Sequence, residues 1–115
     1  MRLCEKLSLA KAQRCKEKVY MTLEEFKLSL SSNKPPEPVS DYLKALWYDA
    51  KDDWEKSHNI IQDLNTKTGS WIHAYLHRKE GDIANADYWY SRAGKQRPSF
   101  SLEKEWEEIC SHELS

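Results

Sequence analysis

The sequence predicts an all-α fold of stacked helical hairpins, about five or six helices in total, with a capping helix at the C-terminal end. Three observations carry this. The middle of the chain repeats itself: Asp41 to Trp54 lies over Ser70 to Ile83 at an offset of 29 residues, pairing Ala45 with Ala74, Asp53 with Asp82, Ser57 with Ala86 and Ile61 with Tyr90. A fixed offset of this size, each copy reading helix–turn–helix, marks units that bury an apolar face only against their neighbours. Apolar residues recur at helical spacing, as in Leu43, Leu46, Trp47 and Ala50 at i, i+3, i+4 and i+7. Each such run opens on a Ser, Thr or Asp whose side chain can accept from the first orphan N–H groups.

Residues 1–20 stand apart, with six Lys/Arg against two Glu, and read as a basic extension preceding a single helical domain over 21–115. Thr22-Leu-Glu-Glu25 is a capping box that opens a short helix carrying Leu23, Phe26 and Leu30. Three prolines in Ser31 to Pro38 remove backbone donors and make a linker. Ser40 then caps the first repeat helix. Asp53 caps the second, whose inner face carries Trp54, Ser57, His58, Ile61 and Leu64. Thr68-Gly-Ser70 is expected to break the chain, so that Ser70 caps a third helix from Trp71 to about Lys79. Gly81-Asp82 makes a tight turn into a fourth helix, Ile83 to Ala93, ended by Gly94 and Pro98. The hairpins thus span about 40–65 and 70–94, and a helix over about 101–114, with Leu102, Trp106, Ile109 and Cys110 inward, covers the open end of the stack. Glu103 to Glu108 reads as a solvated acidic face.

Composition narrows function by exclusion. The chain of 115 residues holds five Trp and six Tyr, enough large side chains to anchor one modest core. Residues 21–115 carry twelve basic against seventeen acidic groups, interleaved, which disfavours nucleic acid as a partner. No apolar run approaches the roughly 20 residues of a membrane helix. Three cysteines without CxxC spacing argue for reduced thiols, and the cytoplasm is the expected compartment. Three glycines are too few for a phosphate-cradling loop, and no nucleophile elbow occurs, so neither enzymatic chemistry nor a cofactor is expected.

The run Gly81-Asp-Ile-Ala-Asn-Ala-Asp-Tyr-Trp-Tyr-Ser-Arg-Ala93, with Pro98 beyond it, resembles the second half of a tetratricopeptide repeat. Ala74, Ala86, Ala93, Tyr90 and Pro98 fall at the spacings of that family, over about residues 41–98, in a unit shorter than the usual 34. The longer stretches Leu46 to His58 and Trp71 to Asp82 are also similar to a family of short uncharacterised proteins, mostly bacterial. Asp52, where glycine is expected, and Ser57, where alanine is expected, depart from its pattern. The resemblance implies a helical scaffold and no particular chemistry.

Two candidate sites emerge. Trp71, Tyr75 and Arg78 lie at i, i+4 and i+7, on the face that lines the concave groove of stacked hairpins, with Tyr42, Leu46 and Asp49 as first-copy equivalents. Aromatic rings and a planar guanidinium suit a peptide or a carboxylate, so the leading expectation is a non-enzymatic module whose partner is a protein or peptide, bound through Trp71, Tyr75, Arg78, Tyr42 and Asp49. Packing of Trp71 and Tyr75 beneath the linker or the first helix is the competing reading. Two hairpins are few for an isolated stack, so flanking helices or self-association must cover its ends. The second site is His73 and His77, four apart on one helix face, with Glu80 following and His58 on the preceding helix. That set suits a divalent metal in a small metal-binding protein or metal-dependent enzyme; a half-buried histidine bonded to Asp82, Asn85 or Tyr90 is the alternative. Tyr88, Trp89 and Tyr90 cannot all face one core, and Tyr90 is assigned inward. Tyr88 or Trp89 then looks toward the C-terminal helix or solvent; docking on Trp106 and Ile109 is the leading expectation and a partner surface the alternative.

Overall fold

The computed structural model describes residues 21–115, so the basic segment 1–20 lies outside the described residues. These residues form six α-helices with no strand among them: α1 (Leu23–Leu28), α2 (Asp41–Ala50), α3 (Trp54–Ile61), α4 (Lys67–Glu80), α5 (Ile83–Ala93) and α6 (Leu102–Leu114). A single 3-10 turn, Ser29–Ser31, extends α1. At its start Thr22 and Glu25 exchange backbone-to-side-chain bonds of 3.0 Å each, the reciprocal capping box.

The helices pair as α2–α3 and α4–α5, and the duplication reaches the hydrogen bonds of the turns. In the first hairpin Asp52 N donates to Asp49 O and Asp53 N to Tyr48 O; in the second, Gly81 N donates to Arg78 O and Asp82 N to His77 O. Every partner is shifted by the same 29 residues. Asp53 and Asp82 then cap α3 and α5, accepting from Lys56 N and Asn85 N. The paired positions Ala45 and Ala74, Ser57 and Ala86, Ile61 and Tyr90 are all buried. Small residues at these crossings let helix backbones approach, and Ser57 satisfies its buried hydroxyl by donating to Ala45 O at 2.6 Å.

Three local expectations are corrected. The third repeat helix starts at Lys67 rather than Trp71, because Thr66 caps it by accepting from Gly69 N at 3.0 Å. Gly69 and Ser70 are interior helical residues, and glycine at 69 is a matter of space. A Cβ there would sit 2.2 Å from Leu64 O, so the α3–α4 connection packs directly on the helix backbone. Ala50 is exposed at the end of α2, while Ala45 and Asp49 turn inward with Leu46. Trp89 does not dock on Trp106: it stacks on His73 with ring centroids 4.0 Å apart, leaving Tyr88 53% exposed.

Helix α6 packs against α1, α2 and α4. It therefore lies across the first helices of both hairpins rather than beyond the end of the stack. Trp106 is its anchor, donating Nε1 to Leu46 O at 3.0 Å and stacking on Phe26 of α1 with centroids 6.0 Å apart. Ile109 and Cys110 complete its buried stripe.

Candidate functional site

The face of α4 that carries Trp71, Tyr75 and Arg78 looks onto α6, where one carboxylate collects its donors. Glu105 is 1% exposed. Arg78 Nη1 donates to its Oε1 at 2.8 Å, Trp71 Nε1 to its Oε2 at 3.2 Å, and the Tyr90 hydroxyl lies 2.8 and 2.7 Å from the two oxygens. Arg78 also donates Nη2 to the Phe100 carbonyl, which fixes the approach of the segment leading into α6. A charge taken out of water this fully requires several donors, and α4 supplies two of them, Trp71 and Arg78, while α5 supplies the third, Tyr90.

Beside this lies a second buried carboxylate. Asp49, 1% exposed, accepts from the Tyr75 hydroxyl and from Lys79 Nζ, each at 2.8 Å. Burial first, and Asp49 second, raises the Tyr75 phenol above its ordinary range; burial and then the Glu105 bond do the same to Tyr90. Both phenols thus stay protonated and act as donors. An opening of about 490 Å³ runs between α1, α2, α4 and α6, bounded by Leu30, Asp49, Tyr75, Lys79 and Trp106.

The expected groove residues thus converge on α6 instead of facing solvent. Trp71, Tyr75 and Asp49 are buried, Arg78 is half-buried, and the groove is filled by the chain's own C-terminal helix. Tyr42 stands apart, its hydroxyl 2.6 Å from Thr66 Oγ1 at the start of α4. Glu105, expected on a solvated face, is the centre of the network. Its position was open to helical arithmetic: Leu102, Glu105, Trp106 and Ile109 are i, i+3, i+4 and i+7, so Glu105 belongs to the apolar stripe by register. Tyr42, Ala45, Leu46 and Asp49 repeat that spacing on α2. Charge concealed Glu105, whereas Asp49 was already placed on the groove face by the repeat register.

The histidines form a separate cluster on the other side of α4. His73 and His77, one turn apart, are 6% and 7% exposed, and His58 reaches them half-buried from α3. His58 Nε2 and His73 Nε2 are 3.0 Å apart, and one nitrogen of each of the three rings lies within 4.8 Å of the others. His77 Nδ1 is 2.7 Å from Glu80 Oε2. Trp54 stacks on His58 with centroids 4.8 Å apart, and is itself fixed by donating Nε1 to Leu76 O at 2.8 Å. Burial first, then the neighbouring imidazoles, depresses His73 to about 4. Burial and then His77 lower His58. The expected partners Asp82, Asn85 and Tyr90 are replaced by His58 for His73 and by Glu80 for His77.

In comparisons with known proteins, no family model, curated protein or solved structure matches this chain. Among the described residues, no helix is long and apolar enough to cross a membrane.

Proposed function

We propose that this chain is a non-enzymatic, tetratricopeptide-like helix-binding module, acting in the cytoplasm, whose groove selects an acidic amphipathic helix. The observation that supports the reading is the convergence of Trp71, Arg78 and Tyr90 on a single helical carboxylate, Glu105. An amphipathic helix seated in a groove by one buried anchor cluster is a recurring recognition mode. Here the anchors are a glutamate, the tryptophan after it and an isoleucine three residues further on. Helix α6 is the resident occupant, joined to α5 only through residues 94–101, most of which are exposed. A partner would present the same chemistry and compete with α6, and a second copy of this chain carries such a helix.

The hairpin duplication and the buried Ala45, Ala74, Ala86 and Ala93 support the tetratricopeptide-like description. The test is a titration of the free peptide Ser101–Ser115 into the full chain carrying Glu105→Gln, with the parent chain alongside. The variant loosens its own α6 without changing the groove, and is expected to bind the peptide more tightly than the parent does. Absence of binding to a folded variant would contradict the proposal.

A further inference from the structure

The histidine cluster plays no part in helix recognition, and its geometry carries a different chemistry. We propose that His58, His73 and His77 form a three-nitrogen site for a zinc-class divalent transition-metal ion, with Glu80 positioning His77.

The spacing fits. A tetrahedral ion with metal–nitrogen bonds of about 2.0–2.1 Å holds its ligand nitrogens roughly 3.3–3.4 Å apart. His58 Nε2 and His73 Nε2 already stand at 3.0 Å, and the third ring offers a nitrogen within 4.8 Å of both. An ion would spread the first pair by a few tenths of an ångström and draw the third inward. The Glu80 bond occupies Nδ1 of His77, which leaves Nε2 as the nitrogen available to a metal. A carboxylate holding the far nitrogen of a ligating imidazole fixes its tautomer and orientation, as metal sites require.

The surroundings favour a cation. His77, Glu80 and Asp82 bring their ligand atoms within 4.8 Å of one another, so negative charge borders the site directly. Trp54 and Trp89 wall it on two sides through their stacking on His58 and His73. The secondary structure sets the ligands with little freedom: two come from consecutive turns of α4 and the third from α3 packed against it. Imidazole donors select late first-row ions over calcium or magnesium, which prefer oxygen. Three protein ligands leave a fourth position for water or another small ligand.

The experiment uses the full chain, stripped with chelator and titrated with Zn(II) and separately with Co(II). One ion per chain is expected, with a raised melting temperature and the visible bands of tetrahedral Co(II). His58→Ala should abolish binding; the half-exposed position makes it the safest ligand to remove. Glu80→Gln should leave the metal-free melting temperature unchanged, weaken binding about 10- to 100-fold and shift the Co(II) bands. Failure of the parent chain to bind either ion would overturn the site. So would an equivalent of metal retained by His58→Ala, since the cysteines and His112 remain in that variant. A cluster that is only hydrogen-bonded gives the first of these results. Neither outcome bears on the α6 peptide titration, which reads the opposite face of α4.

Discussion

Asp52 and Gly81 occupy the same place in the two hairpin turns, and both are left-handed, with φ of 65° and 90°. Each turn closes with the same pair of backbone bonds, so the geometry is demanded by the hairpin and not by the residue. Glycine adopts it freely, whereas an L-residue bears a cost of roughly 1–2 kcal/mol, softened for aspartate. Asp52→Gly should therefore stabilise the protein by up to about 1 kcal/mol. Gly81→Ala should destabilise it by about 1 kcal/mol, although an added Cβ meets nothing within 4 Å. Urea unfolding of both variants checks the pair, and the opposite signs are the point of the comparison.

Gly69 provides a sign test of another kind. Helix propensity alone favours alanine over an interior glycine by about 1 kcal/mol. Here the new methyl would lie 2.2 Å from the Leu64 carbonyl, and backbone must move to admit it. Gly69→Ala is expected to lower stability by about 2 kcal/mol or more, as overpacking does, and to disturb the α3–α4 connection. A stabilised variant would mean that the connection does not pack on this helix.

Stability without metal should depend on pH through His58 and His73. Unfolded imidazoles titrate near about 6.5. In the folded chain His73 is held at about 4, and His58 is also depressed, chiefly by burial. As the pH falls through this interval the unfolded chain takes up protons that the folded chain refuses. The contribution is thus complete above about pH 6.5 and is lost progressively toward the folded value of about 4. Urea midpoints measured from about pH 7.5 down to about pH 5 should fall, and His73→Asn should flatten that slope above the range where carboxylates titrate.

The sequence carried the helices, the capping residues of four of them and the duplication, because those follow from periodicity and short-range chemistry. Ala45, Ala74, Ala86, Ile61 and Tyr90 are buried as their paired register implies. The start of α4 escaped it because Thr68-Gly-Ser70 has the composition of a break, while the decisive facts are tertiary: the Thr66 cap and the Leu64 carbonyl against Gly69. Trp71, Tyr75 and Arg78 were legible as one helix face and Asp49 as its first-copy counterpart, and so was the suitability of the α4 face for a carboxylate. That the carboxylate belongs to Glu105 of the same chain was not, since a charged side chain is ordinarily assigned to solvent. His58, His73 and His77 were legible as a set. The Trp89 stack on His73 was missed, because three consecutive aromatics leave the direction of each open.

The central claim is that the α4 face holds α6 through a buried carboxylate, and a double-mutant cycle on Arg78 and Glu105 tests it most directly. The four proteins are the parent, Arg78→Ala, Glu105→Gln and the double variant, each unfolded in urea at neutral pH. A buried, charge-assisted pair predicts a coupling energy of about 1.5–3 kcal/mol. A coupling below about 0.5 kcal/mol, the range of solvent-exposed pairs, would place Glu105 at the surface and contradict the account.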